Sequence, residues 1–260
     1  MKVKRKIETI ILILLIILCS IGIIYSLYNI IIWKKDVDNN NIIIKEIKEK
    51  VVIDEKNNSY KIDFKSLKEK NPDVYAYLKV KGTNIDYVVV KGNDNSYYLK
   101  HNFNKEYNVA GWIFADYHNS LDQVDKNIVI YGHNTKDGSM FGTLKNTLDK
   151  SWQMNKDNLD IILITENNVY KYQVFSTYTI SPEDYYINTI FNDEKEYSKF
   201  LNTIKERSNY NYNIKLNPTD KILTLSSCTS DSKNRVVLHA KLIKEDDWYE
   251  NNWIWRKVFR

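Results

Sequence analysis

The residues best placed to do chemistry lie in Lys221–Arg235, KILTLSSCTSDSKNR. Ile222-Leu223-Thr224-Leu225-Ser226 is β-branched and apolar, without Gly or Pro, and predicts a strand that ends on Cys228. The polar run Thr229 to Asn234 reads as a loop, and Arg235 opens a second strand, Arg235 to Ala240. Antiparallel pairing of the two would set a guanidinium beside a thiol at one end of a sheet. The chain has two cysteines, Cys19 and Cys228, and Cys19 lies in an apolar segment, so the body owns one thiol and no internal disulfide. A lone thiol in an exported domain is a liability unless it is used; the alternative is a buried, inert Cys. Of the four histidines, His133 stands out. It follows the strand Asn127–Tyr131 through Gly132, and a polar turn with Asn134, Asp137 and Gly138 comes next, a good position for meeting a ligand. His101 and His118 read as surface or packing residues, and His239 shares the parity of Arg235 along its strand.

Other chemistries find no support. No His-x-x-x-His or paired-cysteine pattern suggests a metal. Gly-x-Gly-x-x-Gly, P-loop and Gly-x-Ser-x-Gly patterns are absent, and the order His then Cys is the reverse of a papain-like enzyme. What is left is His, Cys and Arg, each at a strand end.

The elements that must position them read as follows. Asp63 can cap a short helix, Phe64 to Lys70, that stops before Pro72. Strands are expected at Val74–Val80, Ile85–Val90, Ala110–Phe114, Asn127–Tyr131, Leu159–Thr165, Val169–Ile180, Lys221–Ser227 and Arg235–Ile243. Short strands separated by turn signals favour a mainly β, antiparallel or mixed barrel over a βαβ sandwich. One helix interrupts the late strands: Asp193 and Glu196 form a capping-box pattern, and Tyr197, Phe200, Leu201 and Ile204 share a face. It sits in the long connection 181–217 that leads into the Cys228 strand and could wall a groove.

Ile10 to Trp33 is almost continuously apolar, and roughly two dozen helical residues span about 30 Å or slightly more, enough to cross a bilayer. Four basic residues precede it, which places the N-terminus in the cytoplasm and the body outside. A cleaved signal peptide lacks its Ala-x-Ala-like site, and Cys19 follows Leu18 rather than the small residue of a lipoprotein signal. An uncleaved single-pass anchor in the cell membrane is the reading. Of the formal charge of +5, the first 33 residues carry +3, so the nearly balanced body is poor support for a nucleic-acid partner. The expected divisions are a basic tail (1–9), the anchor (10–33), a juxtamembrane stalk (34–60) with Ile44, Ile47 and Val51 at helical spacing, a catalytic domain (61–246) and a Trp-rich extension (247–260). The extension would pack on the barrel, or else contact a partner or the membrane surface.

Together, Tyr131-Gly132-His133-Asn134, Asp137-Gly138-Ser139-Met140-Phe141, Thr224-Leu225-Ser226-Ser227-Cys228 and Arg235-Val236-Val237 resemble a sortase, a membrane-anchored cysteine transpeptidase of Gram-positive cell envelopes. Asn71-Pro72-Asp73, Thr83-Asn84-Ile85-Asp86-Tyr87 and Gly111-Trp112-Ile113-Phe114-Ala115-Asp116 resemble class B members. The resemblance covers about residues 60–243; Ser227 stands where Thr commonly precedes the Cys. It implies a closed β-barrel with N-terminal helices and a groove ending at the cysteine. It also implies Cys228 as nucleophile, His133 as acid/base and Arg235 as the oxyanion and substrate-positioning residue. A free thiol, with pKa ~8.5, is only a few per cent thiolate at neutral pH, and a neighbouring imidazolium or guanidinium would favour the thiolate. Asn84, Tyr186, Ser226 and Ser227 are candidates for binding substrate. The implied reaction cleaves a short sorting motif of a surface protein, Asn-Pro-x-Thr-Asn-like or related, and passes the acyl group to a peptidoglycan-precursor amine. No metal or organic cofactor is needed. Two other readings are an L,D-transpeptidase-like wall enzyme, disfavoured because Arg235 stands seven residues beyond Cys228 in place of a Cys-x-Arg setting, and a non-catalytic membrane-tethered binding module.

Overall fold

A computed structural model describes residues 2–54, 59–120, 124–227 and 234–247. The chain begins with one unbroken helix, α1 (Lys2–Lys48). Its apolar first part, from Ile7 to Ile31, is exposed, and by length and composition it can cross a membrane. The segment expected to be a stalk is not free of the body. Val37, Asn40, Ile43 and Ile47, spaced along one helical face, are buried against the domain. A hairpin of β1 (Val51–Asp54) and β2 (Ser59–Ile62) follows, which the charged composition of that stretch had hidden. Helix α2 (Phe64–Lys70) starts where expected: the Asp63 carboxylate accepts from Ser66 N and Ser66 Oγ, which holds its pKa below the usual carboxylate range. It ends at Asn71, before Pro72.

The remaining strands close into a barrel. In chain order they are β3 (Val74–Val80), β4 (Asp86–Val90), β5 (Phe114–Ala115), β6 (Asn127–Gly132), β7 (Asp160–Ile164), β8 (Asn168–Ile180), β9 (Ile222–Ser227) and β10 (Arg235–Asp247). Around the barrel the order is β10-β8-β7-β3-β4-β5-β6-β9, with β9 paired back to β10. Pairings are antiparallel except β4 with β5 and β6 with β9. Closure removes the exposed edges of this eight-stranded sheet. The strand expected at Ala110–Phe114 shrinks to Phe114–Ala115, because Gly111 takes φ +59° and turns the chain. Its N–H closes that turn on Asn108 O.

Both faces of β6 and β9 are buried, since a second layer covers the barrel there. Leu223, Leu225, Val236 and Leu238 belong to the main core, whereas Ile222 and Val237 join a separate cluster with Phe175, Tyr178 and Tyr186. Helix α4 (Glu194–Glu206) completes that cluster with Tyr197, Phe200, Leu201 and Ile204, the face foreseen from their spacing. Each such side chain contributes roughly 1.5–3 kcal/mol by leaving water. Asp193 caps α4 through Glu196 N, while Glu196 reaches back to Asn192 N. This layer holds the connection 181–217 over the face of β9 and β10 that carries Ser226, Arg235 and His239.

Candidate active site

Two adjacent parallel strands, β6 and β9, finish level with each other. Their ladder runs from Asn127↔Ile222 to Gly132↔Ser227, so it stops one residue before His133 on one strand and one residue before Cys228 on the other. Cys228 and the rest of the 228–233 loop lie outside the described residues. Strand β10 returns antiparallel, pairing Val237 with Ser226, and Arg235 is its first residue. The side chain of Ser227 accepts from Val236 N at 2.9 Å, which ties the start of β10 to the end of β9. That bond explains why a small hydroxyl suits position 227.

His133 is half-buried, and its Nε2 lies 2.7 Å from the carbonyl oxygen of Leu99. A carbonyl can only accept, so Nε2 carries a proton. Behind the ring stands Gly111: a Cβ there would lie 2.9 Å from His133 Cδ2 and from Leu99 O, and 2.6 Å from Tyr98 O. Gly132 is equally constrained, because the Phe141 ring lies 2.7 Å from where its Cβ would be. The loop after His133 folds back on the strand. Phe141 N donates to His133 O, Met140 N donates to Tyr87 Oη, and Met140 takes φ +49°.

The structure brings three of the other candidates together. Arg235 Nη1 is 3.4 Å from Tyr186 Oη, a bond at the weak end of the range, and Tyr186 Oη is 2.9 Å from Ser226 Oγ. Tyr186 and Ser226 are fully buried, and Ser227 is nearly so, so their hydroxyls serve the protein as it stands. Asn84 is elsewhere. It is exposed, its backbone N–H donates to Thr143 Oγ1, and its amide lies beside Gly138, in the loop that follows His133.

The chain matches the sortase domain family over residues 78–243. Its curated relatives include sortase B of Listeria monocytogenes, 36% identical over 190 residues covering 72% of this chain and 76% of that one. Sortase B of Staphylococcus aureus is 34% identical over 184 residues, 70% of this chain and 75% of the relative. Solved structures agree. Sortase B of Bacillus anthracis in complex with AAEK1 superposes with a TM-score of 0.72 at 36% identity, over 81% of this chain and 99% of that one. A Staphylococcus aureus sortase B–substrate complex gives 0.66 at 31% identity, over 82% and 94%. The chain belongs to the sortase family, class B. As a sortase it is a cysteine transpeptidase, which sets aside the L,D-transpeptidase-like and non-catalytic readings.

The other histidines of this sortase have structural partners. His101 stacks on Tyr97, and His118 pairs with Asp116 at 2.8 Å. His239 does share a face with Arg235, but α4 and its connection cover it, and it is fully buried. Thr224 Oγ1 donates to Asn127 Oδ1 and so accepts from His239 Nδ1, leaving Nε2 to accept from Tyr178 Oη at 2.8 Å. Burial, then the charge of Arg207, push its pKa down to about 3, and the ring is neutral. Among the described residues no three His, Cys, Asp or Glu side chains cluster as metal ligands. Sequence reading missed Leu99, whose contribution is a backbone oxygen and leaves no mark on residue type. Gly111 was part of a quoted motif, and asking why that place needs glycine would have led to His133.

Proposed function

We propose that this sortase cleaves a short sorting motif near the C-terminus of a surface protein and passes the acyl group to a cell-wall precursor amine. The observation that carries the residue assignment is the paired end of β6 and β9, Gly132 with Ser227, next to His133 and Cys228 in the chain. Two further facts support it. Cys228 is the sole cysteine in the matched stretch 78–243, and Arg235 opens β10, which pairs with β9 from Val237↔Ser226 onward.

Cys228, as thiolate, attacks the carbonyl carbon of the scissile peptide, and Arg235 donates to the oxygen that becomes negative. The guanidinium never gives up its proton at this pH, so it stabilises charge without becoming an acid. The C–N bond breaks, and Nδ1 of protonated His133 donates to the departing amine, leaving a thioester. An incoming amine then attacks the thioester, the C–S bond breaks, and the surplus amine proton passes to His133. Thiolate and imidazolium are restored. Tyr186, held by Ser226, steadies the guanidinium, Ser227 ties the start of β10 to the end of β9, and Asn84 stands by the loop that follows His133.

The domain reading follows. Residues 1–9 form a cytoplasmic tail, 10–33 cross the membrane and contact its lipid, and 61–246 form the catalytic domain outside the cell. Segment 34–60 joins the two, and 247–260 is an extension of which residues 248–260 lie outside the described residues. The test is cleavage of a sorting-signal peptide, with mass spectrometry for the acylated enzyme. Cys228→Ala and His133→Ala are expected to abolish turnover while circular dichroism stays unchanged; wild-type-like turnover by either variant refutes the assignment.

A further inference from the structure

The helix that carries the apolar anchor also grips the loop behind His133. Asn40, on α1 and 1% exposed, donates from Nδ2 to Gly111 O at 3.0 Å. Its Oδ1 accepts from Asn108 Nδ2, also at 3.0 Å, and that amide donates as well to Asp36 O. One turn before Asn40, the carboxylate of Asp36 accepts from Val109 N at 2.8 Å. These bonds fix the segment 108–111 from the side away from the barrel. From the other side, Gly111 stands against His133 Cδ2 and the Leu99 carbonyl, and Leu99 O holds His133 Nε2. A buried amide has few ways to be satisfied, so the position of Gly111 is tightly set by Asn40.

We infer that Asn40 is a positioning residue for His133, acting through Gly111 and Leu99. The inference deepens the role proposed for His133 and rests on it. Removing the Asn40 amide takes from buried Gly111 O its Asn40 donor and from Asn108 one of its acceptors, and the shelf behind the imidazole must move to recover them. The ring moves with it, because its Nε2 bonds Leu99 O and its Cδ2 faces Gly111. Proton delivery at Nδ1 is sensitive to such displacements, whereas peptide binding along the strand ends is not.

The test uses the full chain in detergent micelles, with rates normalised to the Cys228 thiol that iodoacetamide alkylates. Asn40→Ala is expected to lower kcat for sorting-peptide cleavage about tenfold with KM within about twofold. It should also shift the pH–kcat profile relative to that of the wild type. Asp36→Ala, whose side chain is only partly buried, should act in the same direction more weakly, and it carries the test should Asn40→Ala not fold. Lys70→Ala is the control, since it breaks the Glu46–Lys70 pair that also joins α1 to the body but lies away from the 108–111 loop. It should leave kcat unchanged. Wild-type kcat and pH profile in both α1 variants, or an equal loss in Lys70→Ala, would overturn the inference. A fully active His133→Ala would instead overturn the role of His133, so the two failures are distinguishable.

Discussion

His239 gives this sortase an acid sensitivity that can be measured apart from catalysis. The ring sits fully buried between Thr224 and Tyr178, and its pKa falls from 6.5 to about 3 on folding. Below pH 6.5 the unfolded chain binds a proton at this position that the folded chain refuses. Stability therefore rises with pH across this window and is fully present above 6.5; it is lost as pH falls toward 3. Each pH unit is worth about 1.4 kcal/mol, so acidification to about pH 4.5 costs on the order of 3 kcal/mol. That is a large share of the ~5–15 kcal/mol that holds a typical domain together. The perturbation is His239→Gln, which keeps a polar amide between the two hydroxyls and cannot titrate. Urea unfolding of detergent-solubilised protein, followed by tryptophan fluorescence, is compared for the two proteins between about pH 7 and pH 4.5. The variant should be less stable near neutrality by about 1–2 kcal/mol for imperfect packing and bonding, and its disadvantage should shrink or reverse as pH falls. Parallel curves across the range would refute the buried, neutral ring. Because His239 shares β10 with Arg235, the same protonation weakens the strand that carries the guanidinium.

Three further outcomes follow from the site. Gly111→Ala forces a side chain into the left-handed region, about 1–2 kcal/mol, and drives its Cβ to 2.6 Å from Tyr98 O, so a lower melting temperature and a slower kcat are expected together. An unchanged melting temperature would show that the loop has room. Arg235→Lys keeps the charge and loses the planar fork of donors; kcat for peptide cleavage should fall by about 10²-fold, and a rate within about twofold of wild type would remove Arg235 from the oxyanion role. Asp193→Ala deletes the acceptor for Glu196 N at the start of α4 and should lower the urea-unfolding free energy by about 1 kcal/mol without touching the chemistry. A loss of activity at equal stability would mean that the connection 181–217 does more than cover β9 and β10.

Much of the architecture was legible in residue order. Periodicity placed α4 and its buried face, Asp63 and Pro72 bounded α2, and alternation found the long strands, because those signals are local and repeat within a few residues. Helical spacing in 34–60 also pointed to a helix there, but the charged, Asn-rich composition did not show that Val37, Asn40, Ile43 and Ile47 are buried. Ala110–Phe114 likewise read as a strand from its apolar content, and a positive φ at Gly111 that serves a distant contact overrode it.

By itself the sequence singled out the candidate set: a lone thiol in the body, an imidazole after Gly132 and a guanidinium opening the next strand, in an order that matches one family. Only the tertiary structure decided which nitrogen of His133 the backbone holds, because that depends on a carbonyl 34 positions away. It likewise decided that His239 is core, and that the N-terminal helix packs on the 108–111 loop behind His133. Residue type and spacing report what a side chain can do and how nearby elements repeat. Which backbone oxygen or buried amide it meets is set by barrel closure and by helix docking, and those bring together segments with no relation in sequence.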